Sequence, residues 1–460
     1  MENQFEKSPF KIPNVRLFIA FRVFFNSRFY YPVFTILFLD FGLTLEQFAL
    51  LNAAWAATIV LFEVPSGALA DTVGRKTLLV FTGMLMVLEM ALLCFAPKDN
   101  LDLLFLFFLA NRVLSGLAEA AASGADEAIA YDTLKQEGMA AEWPRVLEKL
   151  MRMQSIAYMG AMSLGAAVYD PALMQRIVNW LDFKIRLSQD ITLRFPLFLT
   201  LAMAVLTLLT TLRMKEIANL PDGEYIADET PRNSIAASLR LTINAGRWIL
   251  KTPFALVIIL AGLFFDNCIR MLVTLMSQYY RLIQLPEASF GLISSGMSVL
   301  GLFVPLLALR MVRKRSPLFN LWVMIGLTLM GLIGISRVWP LIGLLPVILI
   351  RIVMYLLNFF QSHYLNRITS SDQRATVLSF KGLSFNLAYG LIGVLYSMLL
   401  ALLRAQATQG QPTLAGAQLE NIVFVHSLAW FPWYFILTMM PMIVLAWWKL
   451  KDSKQHKQIG

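Results

Sequence analysis

Charge is scarce in this sequence. Asp, Glu, Lys and Arg together make up 15% of its 460 residues, where a soluble globular chain carries about 25%. That scarcity excludes the two or three water-soluble domains that length alone would suggest. Cysteine and histidine are nearly missing. Cys94 and Cys268 both sit in apolar runs, which suits neither a disulfide framework nor a thiolate zinc site. His363, His426 and His456 are too dispersed for a metal centre. There is no phosphate-binding loop: Gly67 precedes Gly74 by seven residues, and Arg75 separates Gly74 from Lys76. ATP-driven transport within this chain is therefore not expected, and neither is a cofactor. The opening MENQFEKSPFKIPN lacks a cleavable signal pattern.

What the chain has in abundance is apolar length. It is 58% hydrophobic, with a mean hydropathy of +0.64. A membrane-spanning helix needs about 20 mostly apolar residues. Apolar runs bounded by charges, Pro and Gly predict twelve spans, at 15–39, 46–67, 77–97, 101–125, 151–169, 195–213, 254–279, 289–311, 317–337, 341–363, 376–403 and 422–448. The fourth, fifth, tenth and eleventh are rich in small or polar residues, the profile of helices packed on helices or lining a cavity.

With the N-terminus placed inside, 26 Lys and Arg fall in cytoplasmic segments and 8 in outer ones. This asymmetry puts both termini in the cytoplasm of a cell whose plasma (inner) membrane the chain spans. It also accounts for the net charge of +10 without nucleic acid as a partner. The longest cytoplasmic connection, 214–252, starts polar and continues as SIAASLRLTINAGRWILKTP, the pattern of an interfacial amphipathic helix. It divides residues 1–213 from residues 253–460, two bundles of six helices each. The outer segment 170–194, with Trp180 and Phe183, is expected on the membrane surface, and 404–420 reads as a flexible loop.

The halves echo each other. Phe24-Phe25-Asn26 matches Phe264-Phe265-Asp266 at an offset of 240, Arg112 matches Arg351 at 239, and Ala157-Tyr158 matches Ala388-Tyr389 at 231. The shared order and near-constant spacing point to a duplicated six-helix unit.

The sharpest local signal is Gly67-Ala68-Leu69-Ala70-Asp71-Thr72-Val73-Gly74-Arg75-Lys76, in the loop after the second span. The glycines permit close approach and a tight turn. Asp71 is placed to cap a helix N-terminus, and Arg75 to pair with an acid, for which Asp126 is the candidate. The segment resembles the loop signature G-x-x-x-D-x-x-G-R-[RK] of the major facilitator superfamily. Span 4, with Asn111-Arg112-Val113-Leu114-Ser115-Gly116-Leu117-Ala118-Glu119, is similar to that family's R-x-x-Q-G-x-G motif, with Ser115 and Ala118 as departures. The resemblance implies an all-α membrane protein of twelve transmembrane helices in two pseudo-symmetric six-helix bundles. It also implies a link between Arg112 and proton coupling, and a central path lined by spans 1, 4, 7 and 10. The Gly-Pro motif of the family's drug/proton antiporters is absent from span 5, and Leu309–Arg315 keeps only the basic part of the loop signature.

On that path, Arg22, Asn26 and Tyr30 are spaced four apart on span 1, and Asp266, Arg270 and Thr274 repeat the spacing on span 7. With Arg112 and Arg351, and with Asn358 and Gln361 as hydrogen-bonding groups, these residues form the candidate substrate path. Four arginines against Glu119 and Asp266 suit an anionic or zwitterionic solute. Glu63, Glu119 and Asp266 are the candidate proton carriers, with Arg112 responding to them. Gly67, Asp71, Gly74, Arg75, Lys76 and Asp126 form the candidate cytoplasmic gate. Arg28 is expected to snorkel to the interface, and Glu89 to be structural.

These readings describe a secondary active transporter, proton-coupled and monomeric, that moves a small molecule across the lipid bilayer by alternating access. A multidrug or toxic-compound efflux antiporter is the alternative. A polytopic membrane enzyme is a remote one, because no cluster of acids, His or Ser gathers at one membrane face.

Overall fold

The computed structural model describes residues 8–216, 235–369, 371–413 and 415–451, and among the described residues it contains helices and no strand. In chain order the helices are α1 (Pro13–Asn26), α2 (Phe34–Phe41), α3 (Leu45–Val73), α4 (Arg75–Cys94), α5 (Leu101–Ala122), α6 (Ala125–Gln136), α7 (Trp143–Tyr169), α8 (Pro171–Trp180), α9 (Gln189–Thr192) and α10 (Phe195–Arg213). They continue with α11 (Ile235–Lys251), α12 (Pro253–Thr274), α13 (Met276–Leu282), α14 (Ser289–Lys314), α15 (Pro317–Ser336), α16 (Leu344–Ile368), α17 (Ser371–Gly410), α18 (Gly416–Leu428) and α19 (Trp430–Lys451).

Proline opens α1, α8, α10, α12 and α15 within their first two positions, where its missing N–H costs nothing. Asn100 caps α5 by accepting from the Leu103 amide at 3.0 Å, and Asp170 caps α8 by accepting from Ala172 and Leu173.

Among the described residues, ten helices or helix pairs are long and apolar enough to cross a membrane. The other two predicted spans are also helical. One is α7, whose first turns carry Arg145, Glu148, Lys149 and Arg152. The other is α1 with α2, 14 and 8 residues long and each too short alone. Residues 27–33 interrupt what the sequence predicts as one continuous span. The predicted loop 404–420 is mostly helical as well, since α17 runs to Gly410 and α18 starts at Gly416. Residues 217–234 of the predicted linker lie outside the described residues; the expected amphipathic helix is α11.

By contact the chain divides into two compact units, Met1–Pro32 with Ala54–Leu239, and Val33–Ala53 with Arg240–Gly460. In the first unit α1 packs on α6, α7 and α10, and α4 on α5 and α10. Val15, Phe18, Ala130, Leu134 and Val146 form a core there. The backbones approach closely at Gly165, where a Cβ would lie 1.8 Å from the Phe29 carbonyl oxygen.

In the second unit α12 packs on α16, α17 and α19, and α16 on α14 and α15. Ile249, Ala255, Ile259, Leu365 and Phe385 form a core. Residues 33–53 are fixed to this unit by polar contacts. The Ser277 hydroxyl accepts from the amides of Thr35 and Ile36 at 2.9 and 3.2 Å, and the Thr35 hydroxyl donates to the Thr274 carbonyl. Arg281 reaches both oxygens of Asp40 at 2.7–2.8 Å and also Glu287. Arg404 holds both oxygens of Glu46 at 2.6 and 2.8 Å and also Glu420.

Candidate functional site

In the first unit five buried polar side chains, Arg28, Glu89, Asn111, Arg112 and Tyr30, form one network. Arg28 pairs with Glu89, with side chains 3% and 0% exposed. Arg28 therefore points inward and does not snorkel; a carboxylate lies within its reach, and the Phe25 ring lies 5.3 Å from its guanidinium carbon. Asn111 donates to the Glu89 carbonyl oxygen at 2.9 Å. Arg112 donates to the Asn111 side-chain oxygen at 2.8 and 3.0 Å and to the Tyr30 hydroxyl at 3.3 Å. Each unpaired charge at mid-membrane costs about 2.5–3.5 kcal/mol on insertion scales, so these contacts offset a large penalty. Glu119, seven residues after Arg112 on α5, is exposed.

The expected face Arg22–Asn26–Tyr30 is broken. Helix α1 stops at Asn26, where the Asn26 side chain folds back onto the Arg22 carbonyl at 2.8 Å. Tyr30 thereby leaves the helical register and meets Arg112 instead. Arg22 is taken up by Asp126 at 2.6 Å and Glu127 at 2.9 Å.

That pairing corrects the partner expected for Arg75. Arg75 pairs with Asp132, and the fully buried Asp126 pairs with Arg22. Six residues turn an α-helix by about 600°, so Asp126 and Asp132 leave α6 about 120° apart, on different faces. The turn itself is as the sequence predicts, with Gly74 at φ +90°. A second expectation needs correction: a Cβ on Gly67 would meet nothing within 4 Å, so Gly67 serves no close approach. The Asp71 side chain lies outside the described residues. The N-terminus of α4 is met by a residue the sequence did not flag. Glu216 accepts from the amides of Arg75 and Lys76 at 3.2 and 2.8 Å, a carboxylate on the positive end of α4.

In the second unit Asp266, Arg270 and Thr274 do share a face of α12. Asp266 and Arg270 pair at 2.6 Å, yet their side chains stay 22% and 30% exposed. Arg270 also donates to the Asn386 side-chain oxygen at 2.9 Å and lies over the Tyr389 ring, 5.2 Å from its centre. Lys381, placed by the sequence in a cytoplasmic segment, lies on α17 within electrostatic reach of Asp266 and Arg270. Its ammonium sits 5.2 Å from the centre of the Phe385 ring. Gln361 is buried against α12, where Gly262 leaves room for it. Asn358 is exposed, and half-buried Arg351 touches the Met354 sulfur at 3.8 Å. Glu63 on α3 has a carboxylate oxygen that is closed to solvent and has no hydrogen-bond partner. No group of three metal-ligating side chains occurs among the described residues.

The Major Facilitator Superfamily profile matches residues 16–393. Among solved structures, the chain is similar to a bacterial homologue of the human lysosomal transporter Spinster in an inward-facing, unoccupied conformation. Their TM-score is 0.69 at 15% identity, over 97% of this chain and 99% of that one. It is also similar to the nucleoside transporter NupG, with a TM-score of 0.64 at 14% identity over 95% and 98% of the two chains. A D-xylose–proton symporter gives 0.56 at 12% identity over 92% and 97%. No curated protein sequence matches it. Matched by family profile over most of its length and by fold over nearly all of it, this twelve-span chain belongs to the Major Facilitator Superfamily and is a membrane transporter.

Proposed function

We propose that the chain is a proton-coupled secondary transporter of a small anionic or zwitterionic solute, working by alternating access as a monomer in the plasma membrane. The observation that carries this reading is the contrast between two ion pairs. Arg28–Glu89 is sealed at 3% and 0% exposure, as a structural pair in a membrane helix should be. Asp266–Arg270 is left part-open at 22% and 30%. Ionisable groups held open inside transmembrane helices mark solute and proton pathways.

One of Glu63, Glu119 and Asp266 carries the proton in this account, and Arg112 responds to it through Tyr30 and Asn111. Arg22, Asn26, Arg351, Asn358 and Gln361 complete the solute path. The two compact units, Met1–Pro32 with Ala54–Leu239 and Val33–Ala53 with Arg240–Gly460, alternate in opening the solute path to either side, and residues 33–53 thereby leave the half 1–213 that the sequence assigned them to. Gly74, Arg75 and Lys76 gate the cytoplasmic side, with Asp132 as the acid. The description of one fold neighbour as a proton symporter supports the coupling. The excess of Lys and Arg in the segments assigned to the inside supports cytoplasmic termini.

The test is uptake by purified protein in liposomes, using a panel of labelled amino acids, organic acids, sugars and nucleosides. The account expects at least one solute to accumulate only while a pH gradient stands, and to stop when a protonophore collapses it. Accumulation that ignores the gradient would overturn proton coupling.

A further inference from the structure

On α12, Gly262, Asp266 and Arg270 recur every fourth residue and share one face; on α17, Lys381, Phe385 and Tyr389 do the same. The two faces meet, through the Arg270–Asn386 hydrogen bond at 2.9 Å and the stacking of Arg270 on Tyr389. A Cβ on Gly262 would fall 1.2 Å from the Gln361 side-chain nitrogen and 3.2 Å from the Phe385 ring. Glycine there is what admits Gln361 from α16. Gln361 is 4% exposed, and its side-chain nitrogen has no hydrogen-bond partner. Two cations thus act on a single carboxylate, and an unsatisfied donor lies one helical turn away, against Gly262.

Among the described residues, the other helices packed on α12 add no charge to this cluster. The charged groups acting on Asp266 are Arg270 on its own helix and Lys381 on α17. Helix α16 presents Gln361 and Tyr364, and α19 presents Tyr434 near Cys268. On α13, Arg281 is taken up by Asp40 and Glu287.

Taking the transporter reading as its basis, we infer that this cluster binds the carboxylate of a monovalent organic acid together with one proton. The proton goes from solution to the Asp266 carboxylate, and the acid's carboxylate takes the place of Asp266 on Arg270, with Lys381 and Gln361 as further donors. Charge counting selects this ligand. With Asp266 ionised, Arg270 and Lys381 leave the cluster at one positive charge. With Asp266 protonated and a monoanion bound, it again carries one. Loaded and empty forms therefore cross the membrane with equal charge, and transport is electroneutral. A dianion, or a neutral solute with a proton, would change the charge of the moving form.

The probes are straight-chain, hydroxy and aromatic monocarboxylates, each with its uncharged amide, titrated calorimetrically into the purified full-length protein. At least one acid should bind while its amide does not, with proton uptake from a weak buffer and at least tenfold weaker binding at pH 8 than at pH 6. Asp266→Asn should bind the same acid with less than a twofold change between those pH values. Lys381→Gln should weaken it tenfold or more, and Gln361→Ala severalfold, both in monodisperse protein. In liposomes, uptake of that acid should not respond to a potassium diffusion potential.

Equal binding of acid and amide, no binding by any acid, a pH dependence that survives in Asp266→Asn, or potential-driven uptake would each overturn the inference. If a neutral or cationic solute still moves with protons, the transporter reading stands and this assignment alone fails. If no solute moves with protons, the coupling reading fails with it.

Discussion

Arg28 and Glu89, 61 residues apart in sequence, form an ion pair with both side chains closed to solvent in the first compact unit. Glu89 in turn offers its backbone carbonyl to Asn111, which binds Arg112. The sealed pair is therefore the base on which the family's span-4 arginine is positioned.

Removing one partner of a buried pair costs about 3–5 kcal/mol, because the other charge is stranded. Glu89→Gln and Arg28→Gln should each lower the apparent melting temperature of purified protein by roughly 5–10 °C. The apolar double replacement Arg28→Met with Glu89→Leu should recover much of that loss. A double variant as unstable as the sum of the singles would show that the two residues are not coupled.

The Arg75–Asp132 pair has its own signature. Arg75→Asp and Asp132→Arg should each reduce transport tenfold or more, and the two together should restore a measurable part of it. The same exchange between Arg75 and Asp126 should restore nothing, because Asp126 faces Arg22 at 2.6 Å. Rescue by the Asp126 exchange and not by the Asp132 one would reverse the assignment.

Residues 33–53 hang on two arginines, each shared by two carboxylates. Arg281→Gln and Arg404→Gln should loosen this segment from the second unit. Ser277, 4% exposed beneath it, reports the loosening. A cysteine placed there, with Cys94 and Cys268 changed to Ser, should react with a maleimide severalfold faster in either variant. Unchanged reactivity in both would mean that the arginines do not hold the segment.

Much of this fold was legible because hydropathy and charge speak directly about a bilayer. The predicted span 195–213 matches α10, and 317–337 matches α15 to within one residue. The break after Asn26 has a local signal, Arg28 and Pro32 within Ser27–Val33, but a window of span length averages it with the apolar runs on either side and reads one continuous span. The helical extension of α17 past Arg404 was hidden for the opposite reason. Its sequence is polar, and Arg404 at its base is held by Glu46, far away in the chain, and by Glu420 on α18.

Charged residues could be identified from sequence, but their partners could not. Nothing local distinguishes Asp126 from Asp132 as the acid for Arg75, or joins Arg28 to Glu89. Lys381 was read as an ordinary cytoplasmic charge because it stands near the start of its span. Its relation to Asp266 exists only once α12 and α17 pack face to face.

Proton coupling through membrane carboxylates is the central claim, and solute-driven proton movement measures it most directly. Liposomes holding the purified protein and a pH-sensitive dye would receive the solute that the uptake panel identifies. The wild-type chain should move protons with the solute, and Glu63→Gln, Glu119→Gln and Asp266→Asn combined should abolish that movement while the protein remains monodisperse. Proton movement at the wild-type rate in the triple variant would contradict the account.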